Sequence, residues 1–94
     1  MPWTWDSEKN RANKRRHGIS FETAARVFDD PLALSRLDPS TEEERWQTLG
    51  MIENVVVLVV HTLPKTEENG DEIGRIISAR KATAHERKAY EEDL

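Results

Sequence analysis

The side chains that could do chemistry in this chain are cations and histidines: Lys9, Arg11, Lys14, His17, Arg45, His61, Arg75 and Arg80. They fall at the ends of expected elements or interrupt apolar runs. Such a set suits cleavage of an RNA phosphodiester. RNA carries its own nucleophile, the 2′-hydroxyl. Cleavage needs that oxygen in line with phosphorus, a proton moved, and the negative charge of the phosphorane stabilised. Arginine and lysine serve the last need as preorganised donors in a partly dry site. A histidine, with an unperturbed pKa of roughly 6.5, can move the proton. Neither a metal nor a cofactor is required. In this reading Arg75 and Arg80 hold the scissile phosphate, His17 or His61 moves protons, and Lys9, Arg11, Lys14 and Arg15 bind backbone phosphates.

Each of these residues also has a structural reading. A basic helix is often only a solvated face. His17 before Gly18 suits a helix C-terminus. His61, at the exit of an apolar strand, suits a buried, hydrogen-bonded histidine, and His85 reads as a first-turn surface residue. Arg75 and Arg80 interrupt an apolar strand, where a cation needs a partner or a cleft; Glu86 can be that partner. Other machinery is missing from the sequence: four scattered glycines make no phosphate loop, and His17, His61 and His85 lack metal-ligand spacing. Trp3, Trp5 and Trp46 read as core or rim packing.

The elements that must position these groups begin with a basic helix from Ser7 to His17. Asp6 is a good N-cap, Glu8 and the Lys14–Arg15–Arg16 run suit the two ends of the dipole, and Gly18 suits a left-handed stop. Only Ala12 is apolar between Ser7 and His17, so something other than an apolar stripe must hold this helix. Ser20 caps a second helix, from Phe21 to Asp29, whose Phe21, Ala24, Ala25 and Phe28 share one side. Met1 to Trp5 reads as a short edge strand, and Leu32 to Leu37 and Arg45 to Ile52 as further strands. Asp38-Pro39-Ser40-Thr41 and Glu53-Asn54 are turns. Val55 to Val60 is β-branched without alternation, hence a central strand covered on both faces. Leu63 to Asp71 is a polar loop with the hairpin signal Asn69-Gly70. Glu72 to Arg80 is the last strand; if straight, it sends Arg75 and Ala79 one way and Gly74, Ile76 and Arg80 the other. Thr83 and Glu86 form a capping box for a helix to about Asp93, with Tyr90 one turn beyond Glu86. The order β-α-α-β-β-β-β-α gives an α+β fold: a small antiparallel sheet with two N-terminal helices and one C-terminal helix packed on it.

With 94 residues, one domain over 1–94 is the natural count. No cysteine is present, so no disulfide or thiolate site exists, which suits a cytoplasmic location. The longest apolar run is too short to span a bilayer. The net charge of −4 hides segregation, because Glu8 to His17 carries five cations against one carboxylate. Acidic clusters stand at Glu42-Glu43-Glu44 and around Glu67–Glu72. A basic patch on an acidic body can meet phosphates or an acidic protein.

The opening pattern Trp5-Asp6…Lys9…Asn13…His17-Gly18…Ser20-Phe21…Ala24…Val27-Phe28…Asp30 resembles that of the BrnT toxins of type II toxin–antitoxin systems. Arg75-Ile76-Ile77-Ser78-Ala79-Arg80-Lys81-Ala82…Glu86-Arg87…Tyr90 resembles their closing pattern, and Arg45 and Gly50 fall where that family's middle has them. Arg16 departs from the lysine more usual before His-Gly; the charge is kept, although the two donors are not equivalent. The resemblance implies a RelE-like fold, RNA cleavage and slowed translation. It also implies a BrnA-like ribbon-helix-helix antitoxin, with two toxins per antitoxin dimer, through which alone the toxin reaches operator DNA. The family's basic and histidine positions map to Lys14, His17, Arg45, Arg75 and Arg80. The competing reading is a non-catalytic binding or co-repressor module whose basic helix docks a partner protein or DNA. The arginine pair inside an apolar strand favours the enzyme, since a docking patch needs no cations there.

Overall fold

The computed structural model describes residues 3–39 and 44–92. Met1, Pro2, Ser40, Thr41, Glu42, Glu43 and the expected helix end at Asp93 lie outside the described residues. In chain order the elements are β1 (Trp3–Thr4), α1 (Ser7–His17), α2 (Phe21–Ala24) with a 3-10 turn (Ala25–Asp29), β2 (Leu34–Leu37), β3 (Trp46–Ile52), β4 (Val55–His61), β5 (Lys65–Thr66), β6 (Glu72–Lys81) and α3 (Ala84–Glu92). The fold is α+β. The strands lie in the order β1-β6-β4-β3-β2, with β5 on β6. Pairing is antiparallel except for β1, which runs parallel to β6, so the sheet is mixed rather than purely antiparallel. The expected polar loop contains a strand: Lys65 and Thr66 pair with Ile73 and Glu72 around the Asn69-Gly70 turn. The second half of the expected second helix tightens to a 3-10 turn before Pro31.

The helix ends follow the local code. The Asp6 carboxylate accepts from the Glu8 and Lys9 amides, Gly18 takes φ 74, and the Ser20 hydroxyl accepts from Thr23 N–H. What holds α1 is a buried asparagine. The Asn13 side-chain nitrogen donates to the carbonyls of Ile19 (2.9 Å) and Ala79 (2.8 Å), and its oxygen accepts from Ala79 N–H (3.2 Å). The amide thus pairs both backbone groups of Ala79, as a neighbouring strand would. Asn10 adds a second anchor, accepting from Phe21 N–H and donating to Glu22.

The sheet separates two cores. On the α1 and α2 side lie Phe21, Val27, Val57, Val59, Ile76 and Ala79, with Trp3 and Phe28 packed against them. On the α3 side lie Leu49, Val56, Leu58 and Tyr90. Burial on both faces explains the unbroken apolar run of β4. Gly50 is required at its place, because a Cβ there would meet the Val27 Cγ1 at 2.6 Å and its carbonyl oxygen at 2.9 Å. The last strand is not straight. Val60 pairs with Ser78 and His61 with Ile76, so Ile77 is an extra residue and β6 bulges. The bulge reverses the alternation: Gly74, Ile76 and Ala79 face the first core, while Arg75, Ser78 and Arg80 share the α3 face.

The capping box forms as expected, with Thr83 N–H on Glu86 Oε1 (2.9 Å) and Glu86 N–H on the Thr83 hydroxyl (3.2 Å). Tyr90 pins the far end of α3 by donating to Asp30 (2.5 Å), which also accepts from the amides of Met51 and Leu32. The Asp30 carboxylate, and then burial, push the Tyr90 hydroxyl up to about 12.

Candidate functional site

Arg80 lies opposite Leu58 on the α3 face. Its guanidinium is gripped end-on by Glu86, Nη1 to Oε1 at 2.7 Å and Nη2 to Oε2 at 3.0 Å, and Nη1 also reaches the Lys81 carbonyl. This fork lowers the Glu86 carboxyl to about 2 against a burial effect that opposes it, and raises Arg80 above its ordinary value. Glu86 is therefore a fixed anion and a poor proton carrier; it aims the arginine. The side chain of Arg80 is still 38% exposed, so part of the guanidinium faces outward.

The bulge brings Arg75 to the same face. Its N–H donates to the Thr62 hydroxyl (2.9 Å) and its carbonyl accepts from Thr62 N–H, leaving the side chain exposed. Arg45 leads into β3, its carbonyl bound by Asp38 N–H. Next to Arg80 a cleft runs between α3 and the sheet. Leu34, Leu49, Leu58 and Ala89 line it on the apolar side, and Arg36, Gln47, His85 and Glu86 on the polar side. Sequence reasoning missed Arg36 and took His85 for plain surface. The alternation Leu34–Arg36 was the available signal, but without the pairing of Arg36 to Gln47 it pointed nowhere.

The cations of α1 lie elsewhere. Lys9, Arg11, Lys14, Arg15 and Arg16 are exposed and His17 is half-buried. Lys14 and Arg11 border a groove with Asn10, Ser20 and Glu22 of the α2 end. Since α1 clasps the outer edge of β6 through Asn13, its basic side flanks the strand that carries Arg80.

His61 sits in the first core, 3% exposed, against the faces of Trp3 and Phe28 in edge-on contacts. Both ring nitrogens are engaged: Nδ1–H donates to the Thr62 carbonyl (2.8 Å), so Nε2 accepts from the Thr48 hydroxyl (2.6 Å), which in turn accepts from Ser35 (2.7 Å). Of its two sequence readings, the buried, hydrogen-bonded histidine describes this placement. Burial lowers its pKa despite the Thr62 bond, which acts the other way. The folded chain thus keeps His61 neutral where the unfolded chain takes up a proton, and stability falls as pH drops below the ordinary 6.5. The lowered Glu86 adds a second loss, as pH falls from 4.5 towards about 2. Melting temperatures measured from pH 8 to pH 3 should decline in these two stages, with His61→Phe flattening the first and Glu86→Gln reducing the second.

The comparisons with known proteins follow the same residues. No curated protein matches the chain. Among the described residues, no helix is long and apolar enough to cross a membrane. A family profile described as "Ribonuclease toxin, BrnT, of type II toxin-antitoxin system" matches residues 5–86, from the Trp5 that precedes α1 to the Glu86 that grips Arg80. With that match extending over most of its length, the chain belongs to the BrnT family of ribonuclease toxins of type II toxin–antitoxin systems.

Proposed function

We propose that this BrnT chain is an endoribonuclease that cleaves RNA by metal-independent attack of the 2′-hydroxyl and so slows translation. Membership of a type II family brings an antitoxin partner. We take that partner to be a BrnA-like ribbon-helix-helix protein whose dimer holds two toxins and carries the complex to operator DNA. The observation that supports catalysis most is the aimed guanidinium of Arg80 on the face it shares with Arg75. At roughly 3.3 Å per strand residue the two arginines are about 15 Å apart. That spacing is too wide for one phosphate and suits separate, non-adjacent phosphates of one strand: Arg80 the scissile phosphate, where preorganised donors stabilise developing charge, and Arg75 one further along. Arg45 joins them as a further phosphate donor. His17 is the proton carrier in this scheme, and Lys9, Arg11, Lys14 and Arg15 extend the phosphate track along α1. His61 keeps a packing role.

One observation favours the non-catalytic reading: Glu86 already neutralises Arg80. The test is purified toxin on naked RNA, with and without antitoxin, at two salt concentrations. Cleavage that the antitoxin suppresses, and that weakens steeply between 50 and 200 mM salt as expected for phosphate-dominated binding, supports the enzyme. Intact RNA, together with normal growth on induced expression without antitoxin, supports the binding module.

A further inference from the structure

The cleft beside Arg80 has features that phosphate binding does not use. Its floor is preformed, since Leu49 and Leu58 are 8% and 4% exposed. Its volume of about 80 Å³ is the room of roughly six ordered waters at ~10–15 Å³ each. That admits one planar ring and excludes a helix. On the rim, the exposed Arg36 donates from Nε to Gln47 Oε1 (3.0 Å), which turns its two terminal nitrogens outward. Both terminal nitrogens of Arg36 and the amide nitrogen of Gln47 have no hydrogen-bond partner among the described residues. The Glu86 oxygens are occupied by Arg80 and Thr83 N–H. The rim therefore offers a fork of donors above an apolar floor.

We propose that this cleft is a nucleobase subsite that takes a guanine of the RNA, placed next to the phosphate at Arg80, with Arg36 reading the base edge. The assignment rests on the ribonuclease reading above. Guanine fits because O6 and N7 are adjacent acceptors that match an arginine fork. Adenine and cytosine turn an amino donor towards donors, and uracil presents a single acceptor on that edge. The leucines supply a flat apolar surface for the ring, and Arg80 suits the flanking phosphate.

Two measurements on the full chain test this. In a methyl NMR titration, guanosine 3′-monophosphate should shift Leu49, Leu58 and Ala89 and bind about 5- to 150-fold more tightly than adenosine 3′-monophosphate, the range one good bidentate base contact gives. Arg36→Ala should erase that difference. Shifts absent from these methyls, or equal affinities for the two nucleotides, overturn the subsite. In cleavage of RNAs randomised around the cut, guanine should be enriched at one fixed position, and Arg36→Ala should cut more slowly and with that enrichment lost. Cleavage without a guanine position sinks the subsite and leaves the ribonuclease standing. Guanosine-selective methyl shifts in a chain that never cuts RNA retain the base site and sink the ribonuclease.

Discussion

Arg80→Ala is expected to lower RNA cleavage by about 10²–10³-fold, the usual loss when one preorganised donor is removed from a developing anion, and to lift growth inhibition. The chain should stay folded. Glu86 keeps its bond from Thr83 N–H and its place in the capping box. The pair is a bidentate fork with Glu86 only 15% exposed, so its loss costs more than the roughly 0–1 kcal/mol of an exposed pair, and Arg80→Ala should melt earlier while remaining folded. Arg80→Lys should fall between, because lysine keeps the charge and loses the planar fork that Glu86 grips. A cleavage time course read beside a circular dichroism melt separates the two effects. Full activity in a folded Arg80→Ala protein would contradict the role assigned to this guanidinium.

The largest stability effect is expected at Asn13. Its replacement by alanine strips partners from the Ile19 carbonyl, the Ala79 carbonyl and the Ala79 amide at once. Each buried group left unsatisfied costs about 1–3 kcal/mol. Water reaching the sheet edge recovers part of this, so a net loss of about 2–4 kcal/mol follows. For a domain of this size that is a fall of roughly 10–25 °C in Tm. α1 has no apolar stripe to fall back on, so the helix should lift off and amide exchange at Ala79 should quicken. Asn13→Asp should be as damaging, since it keeps the acceptor for Ala79 N–H and turns a carboxylate towards two carbonyls. A melt within 2 °C of wild type for Asn13→Ala, by order of magnitude well inside the single-surface-substitution range, would show that α1 is held by something else.

These two residues also mark what was legible in the chain. The grip on Arg80 could be read locally: a cation in an apolar strand demands a partner, and Glu86 stands six residues away in a capping box. The caps at Asp6, Gly18 and Ser20 and the doubly covered β4 were local patterns too. Asn13 could not be read that way, because Ala79 is 66 residues distant and asparagine in a basic helix looks like surface. The hydroxyl chain Ser35–Thr48–His61 depends on cross-strand register, which no residue type announces. The bulge was hidden by its own composition. Ile76 and Ile77 are both apolar, so the slip in alternation leaves no polar residue out of place, and Arg75 and Arg80 were read as facing apart.

Sidedness in a strand is counted in twos, and β6 carries an odd residue. Which surface receives Arg75 is therefore governed by register rather than by residue type. Loss of the Ile77 codon would remove the odd residue, keep Ile76 opposite His61 and leave Arg75 beside Arg80. A slip that straightens the strand with Ile77 opposite His61 would instead carry that arginine across the sheet towards Trp3 and Phe28, a change that preserves every charged residue and still dismantles their shared surface.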